Sequence, residues 1–278
     1  MMAAGSFSTT RVFAGVRAAF VRRWMTIVAL TFVFGFAPSL VWEIAIRIQT
    51  AVSYRVDIPP AAPGPTQPAP PRASVSTPTD FLSHGVGMAL AAFALVTLGG
   101  RALAATLNAL SVAALTGDPR SGGDILLACG RSAGPLALAA LLYILALLAG
   151  GILVVPALII LAAWSVIYPV LLTEKTTVLG AFRRSAELTR GHRWLILGLR
   201  GLMIVGWFLI RTLAGMLIVR LLVSEPTWDA TATVALLIAP AVSALTDGFY
   251  ELFVGALYVE LRRVKEGLAP GMAGEVFG

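Results

Sequence analysis

The chain has 278 residues, of which 58% are hydrophobic and only 13% charged. That balance lies outside the make-up of a soluble globular domain and points to a membrane protein. The net charge of +7 would suit a nucleic-acid partner, but the arginines flank apolar runs and do not cluster with aromatics. A positive-inside bias accounts for them, and no nucleic acid is expected.

Uncharged runs fix the class. No charged residue lies between Arg23 and Glu43, between Asp80 and Arg101, or between Arg131 and Glu174. A span takes about 20 apolar residues, so the last run must hold two spans and the others one each. Each span must be helical, because backbone in hydrocarbon has to satisfy its own hydrogen bonds and strand alternation is absent. The expected fold is all-α: a single polytopic transmembrane domain of six helices with elbow helices at the cytoplasmic interface.

In chain order, residues 1–23 form an N-terminal amphipathic segment. Within it Phe13, Val16 and Phe20 share one helical face, Arg11 and Arg22 lie opposite, and Arg17 sits at the margin. Residues 24–49 hold span 1, with Trp24 and Trp42 at interfacial depths. That run is span-length and lacks a small-residue cleavage site, so it reads as a span and not as a cleaved signal peptide. Residues 50–80 hold eight of the chain's 16 prolines and read as an extended external linker. Residues 81–268 carry spans 2 to 6, and 269–278 are a tail. Span 2 covers about Phe81–Gly99, and residues 101–118 are helical in composition, so the helix is expected to continue past the membrane surface. Spans 3 and 4 share 135–172 and reverse near Gly150, Gly151 and Pro156. Span 5 covers about Trp194–Val219 and span 6 about Ala232–Leu257.

With the N-terminus cytoplasmic, fifteen Lys and Arg fall inside and four outside: Arg47, Arg55, Arg72 and Arg220. This bias places both ends on the cytoplasmic side of the membrane. The stretch from Trp164 to Trp194 is the pivot. There an apolar run gives way to Glu174, Lys175, Arg183, Arg184, Glu187, Arg190 and Arg193 before span 5 begins.

A short pattern recurs ahead of three inward-to-outward spans. It reads Ala14-Gly15-Val16-Arg17-Ala18-Ala19, then Ala128-Cys129-Gly130-Arg131-Ser132-Ala133, then Ala181-Phe182-Arg183-Arg184-Ser185-Ala186. Three elbow-plus-hairpin units would follow, with Arg17, Arg131 and Arg184 meeting lipid phosphates or helix ends. Alanine is common enough here that coincidence is the competing account.

Spans 5 and 6 carry charges inside predicted helices. Arg200 and Arg211 are eleven residues apart, about three turns, and share a face; so do Asp247 and Glu251, four apart. Depth pairs Arg200 with Glu251. A charge within a span is a functional candidate by default, while an ion pair that fixes helix docking is the structural alternative.

Pro169, Glu174, Gly180, Ala181, Arg183, Arg184, Ser185, Leu188, Thr189, Gly191 and Trp194, followed by the ending Tyr258–Leu268, carry a resemblance. Over residues 100–268 the chain resembles the glycerophosphoryl diester phosphodiesterase membrane-domain family. The resemblance implies a bacterial six-span module that is sometimes fused to a catalytic domain and often stands alone. The proline-rich outer loop departs from that family's pattern.

The residues themselves argue against catalysis. A phosphodiesterase barrel needs about 250 residues of its own. His84 and His192 are predicted on opposite sides of the membrane, Asp118 and Asp124 make a weak metal signal, and Cys129 is the only cysteine. No cofactor or metal is expected. The first reading is a non-catalytic accessory or scaffold protein whose partners are anionic headgroups, a membrane protein or a second copy of the chain. In it Glu174, Arg183, Arg184 and Ser185 hold the elbow between spans 4 and 5. The alternative is a small transporter or lipid-handling channel that uses the charges of spans 5 and 6.

Overall fold

The computed structural model describes residues 6–45, 87, 100, 103–224 and 228–267, with backbone alone for 221–224 and 228–236. All of span 2 but Gly87, the proline-rich loop and the tail lie outside the described residues, together with His84, Arg47, Arg55, Arg72 and Arg101. All regular structure among the described residues is helical. Helix α1, Thr9–Thr31, runs through a π-helical turn at Phe32–Phe36 and on to Ala45. It is followed by α2 Leu103–Thr116, α3 Gly122–Arg131, α4 Ala133–Gly151 and α5 Val154–Ala163. Then come α6 Ile167–Thr173, α7 Val178–Thr189, α8 Arg193–Ser224 and α9 Trp228–Glu266.

Five helical stretches among the described residues are long and apolar enough to cross a membrane: Thr9–Ala45, Ala133–Gly151, Val154–Thr173, Arg193–Arg220 and Leu237–Glu266. Their outward faces agree with that reading. Leu202, Val205, Phe208, Leu213 and Met216 on α8 and Leu141, Leu145 and Leu148 on α4 are all exposed. In water such a surface would drive association, whereas lipid chains cover it without cost.

Three short helices turn into long apolar ones, and each has a local reason to start and stop. The Ser8 hydroxyl accepts from the Arg11 amide, and α1 bends at Arg23, where the backbone leaves helical geometry (φ −134°, ψ 29°). Ser121 and Asp124 form a capping box at the start of α3, which breaks at Ser132. The Thr177 hydroxyl accepts from the Gly180 amide to open α7. The turn after α7 places Gly191 at φ +91°, a conformation that favours glycine, so α8 leaves in a new direction.

Among the described residues, helix α2 is the most enclosed helix to carry no charge in its sequence. Leu103, Leu107, Asn108, Leu110 and Ser111 are all buried, so it is enclosed by its neighbours. Small residues and few charges let every side of it be covered. Around it α1 lies along α9. Close approach comes from small residues: a Cβ on Gly35 would stand 3.0 Å from the Ala244 Cβ.

The bend of α1 docks on the turn after α2. Arg22 Nη1 donates to the Ala114 carbonyl at 2.5 Å, while Arg23 donates to the carbonyls of Arg120 at 2.8 Å and Asp118 at 2.9 Å. In that turn burial tends to raise the Asp118 carboxyl, but hydrogen bonds and charge from Arg120 outweigh it and hold it below the usual range. A carboxyl depressed by folding contributes stability above its unfolded pKa, and that contribution is lost as pH falls through the folded value.

Burial also pushes the Cys129 thiol on α3 up to about 11. Near neutral pH maleimide should therefore label the native protein about a hundredfold more slowly than the denatured chain, as mass spectrometry of timed aliquots would show. Equal rates would mean that α3 does not pack as described.

Candidate functional site

Two polar sites stand out, at opposite ends of the bundle. The first clamps the elbow α7. Glu174 caps α6, and its Oε2 accepts from Arg184 Nε at 2.9 Å while its Oε1 accepts from the Tyr258 hydroxyl at 2.9 Å. Arg184 also pairs with Glu266, which in turn holds Arg262 at 2.7 Å. The fully buried Ser185 donates to the Ala163 carbonyl at 2.9 Å and accepts from the Val166 amide at 3.4 Å. Buried Pro169 completes the group, because its carbonyl accepts from Thr173 at 2.7 Å and Thr173 meets Tyr258 at 2.8 Å. Elbow and final helix are thus tied by charge-assisted bonds.

The remaining motif residues lie apart from this cluster. Arg183 is 86% exposed and pairs with Glu187, one turn along α7. Gly191 makes the turn into α8, and Trp194 is 79% exposed at its start. Arg17 and Arg131 are exposed on α1 and α3, unlike Arg184, so the three pattern arginines do not share one environment.

A smaller clamp, unforeseen from the sequence, uses Glu260. Its carboxylate accepts from the Ser8 amide at 3.0 Å, Arg11 Nε at 3.1 Å and Arg263 Nε at 2.8 Å, which ties the start of α1 to the end of α9.

Within the predicted spans the pairing differs from the expectation. Arg200 and Glu251 turn to different partners. Arg200 donates to the Leu161 carbonyl at 2.6 Å and to the Tyr250 hydroxyl, while Glu251 accepts from Asn108 at 2.7 Å. One turn along α9, the residues facing α8 are Asp247 and Tyr250, and Glu251 is rotated toward α2. Register alone does not show which side of a helix meets which neighbour.

The second site is built around Arg211 and Asp247. Arg211 Nη2 reaches Asp247 Oδ2 at 3.5 Å, Trp207 Nε1 donates to Asp247 Oδ1 at 2.8 Å, and the Arg211 guanidinium lies 4.1 Å from the centre of the Trp207 ring. Arg211 Nε is buried without a hydrogen-bond partner among the described residues. These groups face an open cavity of about 570 Å³ between α1, α8 and α9, also lined by Ser39, Trp42, Glu43 and Ser243. The volume is that of a small-molecule site. No family model, curated protein or solved structure matches the chain.

The cavity was only half visible in the sequence. Arg211 and Asp247 stand out in the sequence as charges inside apolar helices, whereas Trp207 and Glu43 do not. The spacing of Trp207 and Arg211, one turn apart on α8, was the signal available. Glu43 served only to bound an uncharged run, and nothing local linked it to residues more than 160 positions away. Among the described residues no three His, Cys, Asp or Glu side chains come together to hold a metal.

Proposed function

We propose that this is a non-catalytic integral membrane protein, an accessory or scaffold subunit whose basic elbows rest on anionic headgroups or on a partner. The reading places six spans and three elbow-hairpin units in a bacterial cytoplasmic membrane, with both ends and all elbows in the cytoplasm. It agrees with the resemblance to the glycerophosphoryl diester phosphodiesterase membrane domain, whose motif residues here include a structural clamp. One observation carries it: Arg17, Arg131, Arg183 and Arg190 are exposed on or beside the elbows, while Arg184 is spent inside the protein. Arg184 is therefore a strut for the elbow and not a foot upon the lipid.

Each basic residue near an anionic surface contributes about 1 kcal/mol. Replacing Arg17, Arg131, Arg183 and Arg190 together with Gln should strip phosphatidylglycerol from the purified protein by an order of magnitude or more, read by quantitative lipid analysis. An unchanged lipid profile would count against the elbows as lipid contacts.

A second reading, a small transporter or lipid-handling channel, is favoured by the cavity beside Arg211 and Asp247, since a purely structural ion pair needs no such volume.

A further inference from the structure

Within the apolar stretch Arg193–Arg220, Arg200 is held by neutral partners alone. Its Nη1 donates to the Leu161 carbonyl at 2.6 Å and its Nη2 to the Tyr250 hydroxyl, with the guanidinium 5.7 Å from the centre of the Tyr250 ring. No carboxylate among the described residues comes within ion-pair distance of it, and Glu251, next to Tyr250 in sequence, is turned to Asn108 of α2. Close by on α4 is a donor with nothing to donate to. The Tyr143 hydroxyl is near enough to act on the Arg200 charge, yet its buried oxygen has no hydrogen-bond partner among the described residues. A guanidinium without a counter-ion beside a hydroxyl without an acceptor fits one kind of guest, an anion.

The depth of Arg200 sets how such an anion arrives. Elbow α7 touches α5 at Ala163, whose carbonyl accepts from Ser185 and Thr189. Leu161 lies two residues, about 3 Å, along α5 from that contact, so Arg200 sits just inside the elbow. From there an apolar groove of about 250 Å³ opens between α8 and α9, lined by Met203, Gly206 and Ile210 on one side and by Leu245, Phe249 and Tyr250 on the other. Positions 200, 203, 207 and 210 fall on one face of α8, which puts Arg200 at the elbow end of the groove. Tyr250 joins the two, since it lines the groove and its hydroxyl meets Arg200. From Met203 to Ile210 the groove runs about 10 Å toward the middle of the span. An amphiphile of the elbow-side leaflet has the same polarity, with its charged end at the interface and its chain inward.

We propose that Arg200, Tyr143 and Tyr250 bind the carboxylate of a single-chain fatty acid whose alkyl chain fills the groove between α8 and α9. A carboxylate accepts from a guanidinium and from a hydroxyl at the same time, which gives Arg200 its counter-ion and Tyr143 its acceptor. Arg200 has five N–H groups and two acceptors here, so donors remain for the guest. A phospholipid would bring a glycerol and a second chain, whereas the groove is smaller than a drug-sized pocket and takes one. The site goes beyond both readings above, because neither the outward basic residues nor Arg211 takes part in it.

The test uses the full chain in phosphatidylcholine nanodiscs with a diazirine-bearing analogue of palmitic acid, crosslinked by light and located by mass spectrometry of peptides. Label should fall on 203–210 and 245–250. Palmitate should displace it at a concentration about tenfold below that of hexadecanol, the same chain without the charge, and below that of lysophosphatidylglycerol, a single chain ending in a phosphodiester. Equal or stronger displacement by either competitor, or label spread over the lipid-facing sides of other spans, would overturn the proposal.

Arg200→Gln should weaken palmitate binding at least about tenfold. Because that change also takes a donor from the Leu161 carbonyl, Tyr143→Phe is the deciding variant. It removes only a hydroxyl that bonds to nothing among the described residues, so Tm should hold and a purely structural role leaves binding unchanged. Palmitate affinity should nevertheless fall about fivefold while hexadecanol stays as it was. Unchanged palmitate affinity in Tyr143→Phe overturns the proposal.

Discussion

Replacing Glu174 with Ala should destabilise the protein by about 3 kcal/mol, because breaking a largely buried ion pair by removing one partner leaves the other charges facing each other. Arg184 and Arg262 are 30% and 10% exposed, and both turn toward Glu174 and Glu266. Without Glu174 the Arg184 and Arg262 guanidiniums each lose a nearby carboxylate, and Tyr258 loses a charged acceptor. In mild detergent this should appear as a fall of roughly 5–10 °C in Tm for a chain of this size. Arg183→Ala is the internal comparison: its side chain is 86% exposed and paired with Glu187 on the same helix, so a change within about 0.5 kcal/mol is expected. A Tm for Glu174→Ala equal to that of Arg183→Ala would remove the clamp from the account.

The class of the fold was legible because hydrocarbon imposes a rule on composition. A run such as Arg131 to Glu174, with no charge in it, is far longer than one buried helix of a soluble domain. The short helix Val178–Thr189 was legible for a related reason, since its charged residues interrupt two apolar runs. The partners of polar groups were not. Arg184 meets Glu266 across 82 positions and Asn108 meets Glu251 across 143, and no periodicity connects residues so far apart. The expected Arg200–Glu251 pair matched depth correctly but not rotation, because α2 occupies the side of α9 that Glu251 faces. That packing in turn depends on α2 being enclosed, and its sequence, rich in Ala and Leu, does not say which neighbours enclose it.

Gly255 on α9 should resist even the smallest side chain. In a helix interior Gly→Ala is ordinarily stabilising by about 1 kcal/mol. Here a Cβ would stand 2.6 Å from the Ser111 Cβ and 3.0 Å from the Asn108 carbonyl oxygen, so α2 and α9 must separate. The sign should therefore reverse: Gly255→Ala should cost about 1–3 kcal/mol, and Gly255→Leu should prevent accumulation of folded protein. Separating the helices would also stretch the bond from Ser111 Oγ to the Leu252 carbonyl, now 3.1 Å.

A double-mutant cycle isolates the contact. Ser111→Gly removes the nearer obstacle at its own cost in helix propensity and in that hydrogen bond. Paired with Gly255→Ala it should be less damaging than the sum of the two single changes by at least about 1 kcal/mol. Chemical denaturation in detergent reads each corner of the cycle. Strict additivity would mean that the backbones of α2 and α9 do not touch at this point. The enclosure of α2, and with it the rotation of α9 that turns Asp247 toward Arg211, would then have to rest on contacts elsewhere along the two helices.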